Sequence, residues 1–313
     1  MQNLVTVASQ VGVLFALMGV GALCRRLRLV DEVSVKGMVN VLILVVTPCL
    51  IVDAFQRPFD ASMLRGFGCA FLIAFLAHVA SIALSYATAR GGSAALPVLR
   101  AATVFSNAGF MGIPLEHAVL GPEGVFYGIV YVVMFNVFMW SWGLYEMKGA
   151  GRKGVVDRKA LLAMTVNPGT VGIAVGMPLF VLSVSLPGVV GTPVRLLAGL
   201  NTPLAMLVIG FYLAGADFRR VLSTPAAYVA ASARLVLIPL AMVAVLYPLR
   251  AGLDRTMMLA IVIAASAPVG ALVTMFASKY GRDVDLSVGL VSGTTLLSIA
   301  TMPPIIAFAM EVL

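Results

Sequence analysis

The run Ser106-Asn107-Ala108-Gly109-Phe110-Met111-Gly112-Ile113-Pro114-Leu115-Glu116-His117 lies inside an otherwise apolar stretch long enough to cross a membrane. Two glycines, a proline, an asparagine, a glutamate and a histidine so close together do not suit an unbroken helix in lipid. Proline removes a backbone donor and clashes with the preceding turn. In hydrocarbon, backbone groups freed in this way are tolerated only where protein or a water-filled cavity satisfies them. Broken helices with polar groups at mid-membrane depth are how many secondary carriers build a substrate or ion site. The sequence therefore points to a polar site inside a membrane protein, and transport is the first function it suggests.

Composition agrees. Hydrophobic residues make up 61% of the 313 residues and charged residues 11%, against about 25% charged in a soluble domain. Mean hydropathy is +1.05. Spans of ~20 residues with short loops give about ten helices, and no stretch is polar enough for a separate soluble domain. The net charge of +8 sits in short loops between apolar runs, which fits membrane orientation and not a nucleic-acid partner. Cys24, Cys49 and Cys69 have no CxxC or nearby His spacing and read as small buried hydrophobes, with no metal site. Cys24 follows Gly21-Ala22-Leu23, but the basic residues come after it, so no cleaved signal is expected.

The apolar runs predict spans at Leu4–Cys24, Gly37–Phe55, Gly66–Thr88, Ala101–Leu120, Gly124–Tyr145, Ala160–Leu182, Leu196–Ala214, Ala226–Leu249, Met257–Ala277 and Leu286–Met310. Ser183–Val194 reads as an interfacial loop. Loops after odd-numbered spans hold fifteen Lys and Arg, loops after even-numbered spans five, and Arg234 lies within the eighth span. That asymmetry puts the first set, including Lys148–Lys159, in the cytoplasm and both termini outside.

The chain also looks duplicated. Thr47-Pro48 recurs as Thr202-Pro203 at an offset of 155, and Pro114 as Pro268 at an offset of 154. Five spans per half is odd, so the halves must be inverted. The expected fold is all-α and integral to the membrane: ten transmembrane helices in two inverted five-helix repeats, residues 1–150 and 151–313. Such repeats place the site at their interface near the membrane midplane.

The run SNAGFMGIPL, the Asn167-Pro168 pair, NTPLAMLVIG, RLVLIP and the opening RRLRLVDE between apolar helices resemble the auxin efflux carrier family over essentially the whole chain. The resemblance implies a fold like that of bile-acid sodium symporters. Broken spans four and nine then cross, spans 1, 2, 6 and 7 form a scaffold, and spans 3–5 and 8–10 form a moving core. It also implies that Pro114 and Pro268 are the crossover prolines, with Asn107 the polar residue before the first. The join Glu146–Lys159 is short, as in bacterial relatives linked to dicarboxylates. The resemblance thus implies an organic-anion carrier in the bacterial inner membrane, and a homodimer is compatible with it.

A small organic anion needs donors and positive potential, which half-helix N-termini supply. Asn107, Gly109, Gly112 and Pro114 form one half of the expected substrate site, Ser266, Pro268 and Gly270 the other, with Thr274 a turn on. The hydroxyls can instead bond back to their own helix. Asn201 and Asn136 are further polar residues near the expected cavity, with helix–helix bonding the alternative. Arg234 reads either as a carboxylate-binding or gating residue or as a structural ion pair or carbonyl clamp, because an Arg at helix centre costs roughly 2.5–3.5 kcal/mol and rarely faces lipid. Glu116 and His78 are the candidates for coupling to a proton or sodium, the alternatives being an exposed extracellular helix end for Glu116 and a neutral His bonded to a neighbouring helix for His78; His117 is a weaker candidate and Asp53 reads as interfacial. No other cofactor is expected. The chain has no HExxH, no serine–histidine arrangement and no paired intramembrane aspartates, so an enzyme is not expected. A solute sensor or channel-like protein is the alternative function.

Overall fold

A computed structural model describes residues 2–91, 93–148 and 168–313. Its principal elements are α1 (Gln2–Arg26), α2 (Glu32–Ala54), α3 (Ala61–Thr88), α4 (Leu96–Val104), α5 (Ala108–Lys148), α6 (Pro168–Val181), α7 (Gly188–Leu213), α8 (Pro225–Leu249), α9 (Arg255–Ser266), α10 (Leu272–Lys279) and α11 (Val284–Val312). Among the described residues the regular structure is all helical, joined by short turns and loops, apart from one isolated β-bridge.

By length and composition, seven of these helices (α1, α2, α3, α5, α7, α8 and α11) can cross a membrane. The chain is therefore a multi-pass membrane protein. The difference from ten long spans has local causes. The expected fourth span is broken after Val104 and the ninth after Ser266, so each yields shorter pieces. The fifth shares α5 with the second half of the fourth, and α5 turns at Gly121, where φ is +73°, a value glycine reaches without strain. Ala160–Asn167, where the sixth span was expected to begin, and all of the basic join beyond Lys148 lie outside the described residues. Only Ser183–Pro187 of the expected interfacial loop is non-helical, because the fixed φ of Pro187 at the N-cap starts α7 at once.

Prolines shape the helices in a recurring way. Pro48, Pro114 and Pro239 each stand at the second position after a π turn, at Leu42–Val46, Ala108–Gly112 and Ala233–Leu237. In each turn the residue before the proline bonds five residues back: Thr47 to Leu42, Ile113 to Ala108 and Ile238 to Ala233. The wider turn takes up the register change that the missing proline donor demands, so the helix continues where a break was expected at Pro114.

Helices approach closely where glycine allows it. A Cβ on Gly21 of α1 would overlap the Leu207 backbone of α7, and one on Gly210 of α7 would overlap the Met18 backbone of α1. On α6, a Cβ on Gly172 would stand 2.8 Å from Ile51 Cβ of α2, and one on Gly176 2.9 Å from Cδ2 of Phe55, which caps α2. Small residues at such contacts let backbones meet, which in lipid supplies much of the association energy. Elsewhere α5 is sandwiched by α3 and α9, and α11 covers α1 and α9.

Candidate functional site

The two broken spans meet at their breaks. Ser106 and Val269 form an antiparallel bridge. The Asn107 N–H donates to the Pro268 carbonyl at 2.6 Å, and the Gly270 N–H to the Phe105 carbonyl at 2.9 Å. Extended backbone inside an apolar protein thus satisfies itself by pairing two breaks, as buried peptide groups require. A third bond anchors the pair: the Val269 N–H donates to Thr294 Oγ1 of α11 at 3.1 Å, while that hydroxyl donates to Leu290 O at 2.7 Å.

Four half-helix ends therefore surround the crossing. The C-terminal ends of α4 and α9 offer orphan carbonyls, and the N-terminal ends of α5 and α10 offer orphan N–H groups. Arg234, fully buried in its π turn on α8, caps both C-terminal ends. Its Nη1 donates to Val104 O at 3.0 Å and its Nη2 to Ala265 O. A guanidinium at two helix C-termini is well placed against the macrodipole. Arg234 thus takes the geometry of the carbonyl clamp, with only Nε left unpaired.

The other expected site residues fall into groups. Asn107 lies in the break, buried, and its side chain makes no capping bond. Pro268 and Gly270 lie in the opposite break. Gly109 and Gly112 sit in the π turn that follows Asn107. Pro114 lies beyond that turn inside the helix, so Asn107, not Pro114, meets Pro268. Ser266 is buried, and its hydroxyl turns back to Val262 O at 2.7 Å. Asn201 begins the second stretch of α7, after a turn at Leu200, and that stretch packs on the Ala108–Gly112 turn. Asn136 bonds Val132 O of its own helix at 2.9 Å.

Several buried polar atoms on these elements lack a protein partner: Ser106 Oγ, Thr274 Oγ1, Arg234 Nε and Asn201 Nδ2. Native interiors satisfy nearly all such atoms, so a group of them marks a place where water or a ligand completes the bonding. Glu116 is fully buried on α5 with neither oxygen partnered. His78 on α3 is buried too; its Nδ1 lies 2.8 Å from Ala74 O, and its ring stacks on Phe138 at 5.1 Å and tilts on Tyr131 at 4.8 Å. His117, next to Glu116, is exposed. Asp53 lies 3.8 Å from Arg195, at the C-terminal end of α2. No group of His, Cys, Asp or Glu able to hold a metal occurs among the described residues.

Sequence reasoning missed Thr294, one of many hydroxyls in α11, since nothing in its spacing names the one that faces the break. It also missed Glu146, held by Tyr86 and, at 3.4 Å, by Arg100, which itself donates to Ala89 O. These contacts tie the ends of α3, α4 and α5 together.

Residues 6–306 match the family model described as membrane transport protein. Over 211 residues the chain is 27% identical to an uncharacterized transporter of Methanothermobacter thermautotrophicus, a match covering 66% of this chain and 65% of that relative. Just under two thirds of the relative's length is thus matched. A break-to-break crossing of two helices, orphan polar atoms around it and a family match over nearly the whole length lead to one conclusion: the chain belongs to the membrane transport protein family, that of the auxin efflux carriers.

Proposed function

We propose that this protein is a secondary carrier that moves a small organic anion, a carboxylate, by alternating access, with the anion held where α4–α5 crosses α9–α10. The observation that carries the reading is the position of Arg234. It neutralises the carbonyl ends of α4 and α9 and leaves the N–H ends of α5 and α10 uncancelled at the same crossing. A buried cation with carbonyl partners and two helix N-termini together make a place that favours an anion. Asn107, Ser106, Thr274 and Asn201 supply neutral polar atoms beside it. Gly109 and Gly112 let an anion approach the backbone of the π turn.

The inverted repeat belongs to this proposal and has packing in its favour. A shift of 155 residues, the separation of Pro48 and Pro203, carries Gly21 to Gly176 and Phe55 to Gly210. The glycine-tight pair α1·α7 then maps onto the glycine-tight pair α6·α2. On this reading α1, α2, α6 and α7 form the scaffold, and the remaining helices rock against it. The fifteen-to-five distribution of Lys and Arg orients the chain with both termini outside. A proton or sodium ion is the expected coupling ion.

Uptake of radiolabelled mono- and dicarboxylates into proteoliposomes tests the proposal, with proton and sodium gradients imposed in turn. Saturable uptake that unlabelled carboxylate inside accelerates is the expected result. Stoichiometric binding without flux would replace the carrier with a sensor, and non-saturating flux would replace it with a channel.

A further inference from the structure

Glu116 is a buried carboxyl that the binding of an anion leaves without a task. Neither oxygen has a hydrogen-bond partner, and the residue is 0% exposed. Its side chain lies along α5 toward the crossing: a Cβ on Gly112 would stand 3.7 Å from Oε1. Across the Gly121 turn, a Cβ on Gly128 would overlap the carboxyl itself. Twelve residues along a straight helix would separate the two by ~18 Å, so the turn folds the second arm of α5 back over Glu116. Only the absence of a side chain at Gly128 makes the notch that holds the carboxyl.

The surroundings narrow what the notch can hold. Ala264 of α9 stands 3.5 Å from the same Gly112 Cβ position, and α9 has no titratable side chain from Met257 to Ser266. On the second arm of α5, Tyr127 turns to Gly66 and Tyr131 to the His78 ring. Helix α1 has no acidic or basic side chain before Arg25, α7 brings only the exposed Tyr212 within Asn201–Leu213, and Asp53 of α2 is paired with Arg195. Helix α3 brings Arg65 and Cys69 in its first half, His78, whose ring faces Tyr131 and Phe138, and Tyr86, which bonds Glu146; no cation from any of these elements is bonded to Glu116. A bare carboxylate in such a place is costly to bury, whereas the neutral acid is tolerated. Sodium needs several oxygen ligands, and among the described residues no cluster of acidic side chains joins Glu116 to supply them. A proton needs only Glu116.

We infer that Glu116 is the proton site of this carrier: a carboxylic acid held neutral in the Gly112–Gly128 notch and deprotonated when movement of α5 opens the notch to water. The inference rests on the carrier reading above and fixes its coupling ion. The proton adds to one carboxylate oxygen from water on one side and leaves to water on the other; no other bond changes. Glu116 lies nine residues beyond Asn107 on one helix, so an anion at the start of α5 and a negative Glu116 repel each other. Anion and proton therefore bind together and move in the same direction.

Two measurements on the full-length protein test this. Infrared spectra of the purified protein in lipid should contain a protonated-carboxyl band that Glu116→Gln removes without a change in detergent melting temperature. Absence of the band, or its persistence in Glu116→Gln, overturns the proton site. In proteoliposomes, an imposed pH gradient should drive accumulation of whichever carboxylate of the panel is carried. Glu116→Gln should abolish that drive and Glu116→Asp should restore part of it. Drive that survives Glu116→Gln, or drive by sodium alone, overturns the inference while leaving the carrier intact. If nothing in the panel is carried although the band is present, the carrier reading fails, and proton coupling fails with it.

Discussion

The backbone N–H of Asn107 donates to the carbonyl of Pro268 across 2.6 Å, so that the break in one membrane helix closes the break in another. Pro268 has no donor of its own, and Asn107 begins the turn that re-forms α5. Each break would be costly alone in lipid, since its peptide groups would be unsatisfied. Paired, they give the chain a polar centre without exposing backbone to hydrocarbon.

The clamp at that centre makes the first prediction. Arg234→Met keeps the bulk but orphans the carbonyls of Val104 and Ala265. Each bond from a charged donor contributes about 1.5–3 kcal/mol, so a loss of about 3 kcal/mol is expected, read as a lower melting temperature in detergent. Arg234→Lys should recover only part, because an ammonium lacks the fork that reaches both helix ends. A stable Arg234→Met protein that no longer binds anion would instead assign Arg234 to the substrate.

Glycine contacts make the second. Gly21→Ala places a methyl group against the Leu207 backbone, whereas Gly19→Ala meets nothing within 4 Å. The first should lower the melting temperature markedly by pushing α1 from α7. The second should leave it unchanged or raise it slightly, since alanine is the better helix former. Equal effects in a thermal scan of the two variants would contradict the close approach.

The third concerns acid stability at the start of α11. Arg220 donates to Asp283 Oδ2 through Nη2 at 2.6 Å and Nε at 2.9 Å, and Asp283 accepts from the Leu286 N–H at 3.0 Å. Burial raises the Asp283 carboxyl, but these bonds outweigh it and hold it below its ordinary value of 3.8. A carboxyl lowered on folding stabilises the folded state above its unfolded value and loses that contribution as pH falls through the folded one. Melting temperature followed through the acid range should fall less steeply in Asp283→Asn than in the wild type, from a lower starting value at neutral pH. Parallel curves would show that the pair does not act this way.

Much of this was legible in the sequence, and the failures have physical causes. Apolar runs gave the positions of the long helices, and the Gly, Asn and Pro cluster gave the break before α5. Proline spacing alone does not tell which prolines stand in a break. Pro114 resembles Pro268 in sequence, but the π turn at Ala108–Gly112 absorbs it into a helix, while Pro268 stays in extended backbone. Among the described residues three π turns precede a proline, but the one at Met139–Gly143 does not, so proline alone does not announce them. Arg234 was recognised as costly, yet its partners are main-chain carbonyls, which carry no residue identity to read. The notch at Glu116 depends on Gly128, and only the fold-back at Gly121 brings the two together.

The central claim is that an anion is carried at the crossing, and counterflow tests it most directly. Proteoliposomes loaded with an unlabelled carboxylate and diluted into trace label should show a transient overshoot of label with the wild type. Asn107→Leu, which removes the amide at the break but keeps the backbone bond to Pro268, should abolish the overshoot while the protein stays folded and monodisperse. An overshoot of the same height with Asn107→Leu, or none with any carboxylate in the wild type, would contradict the account.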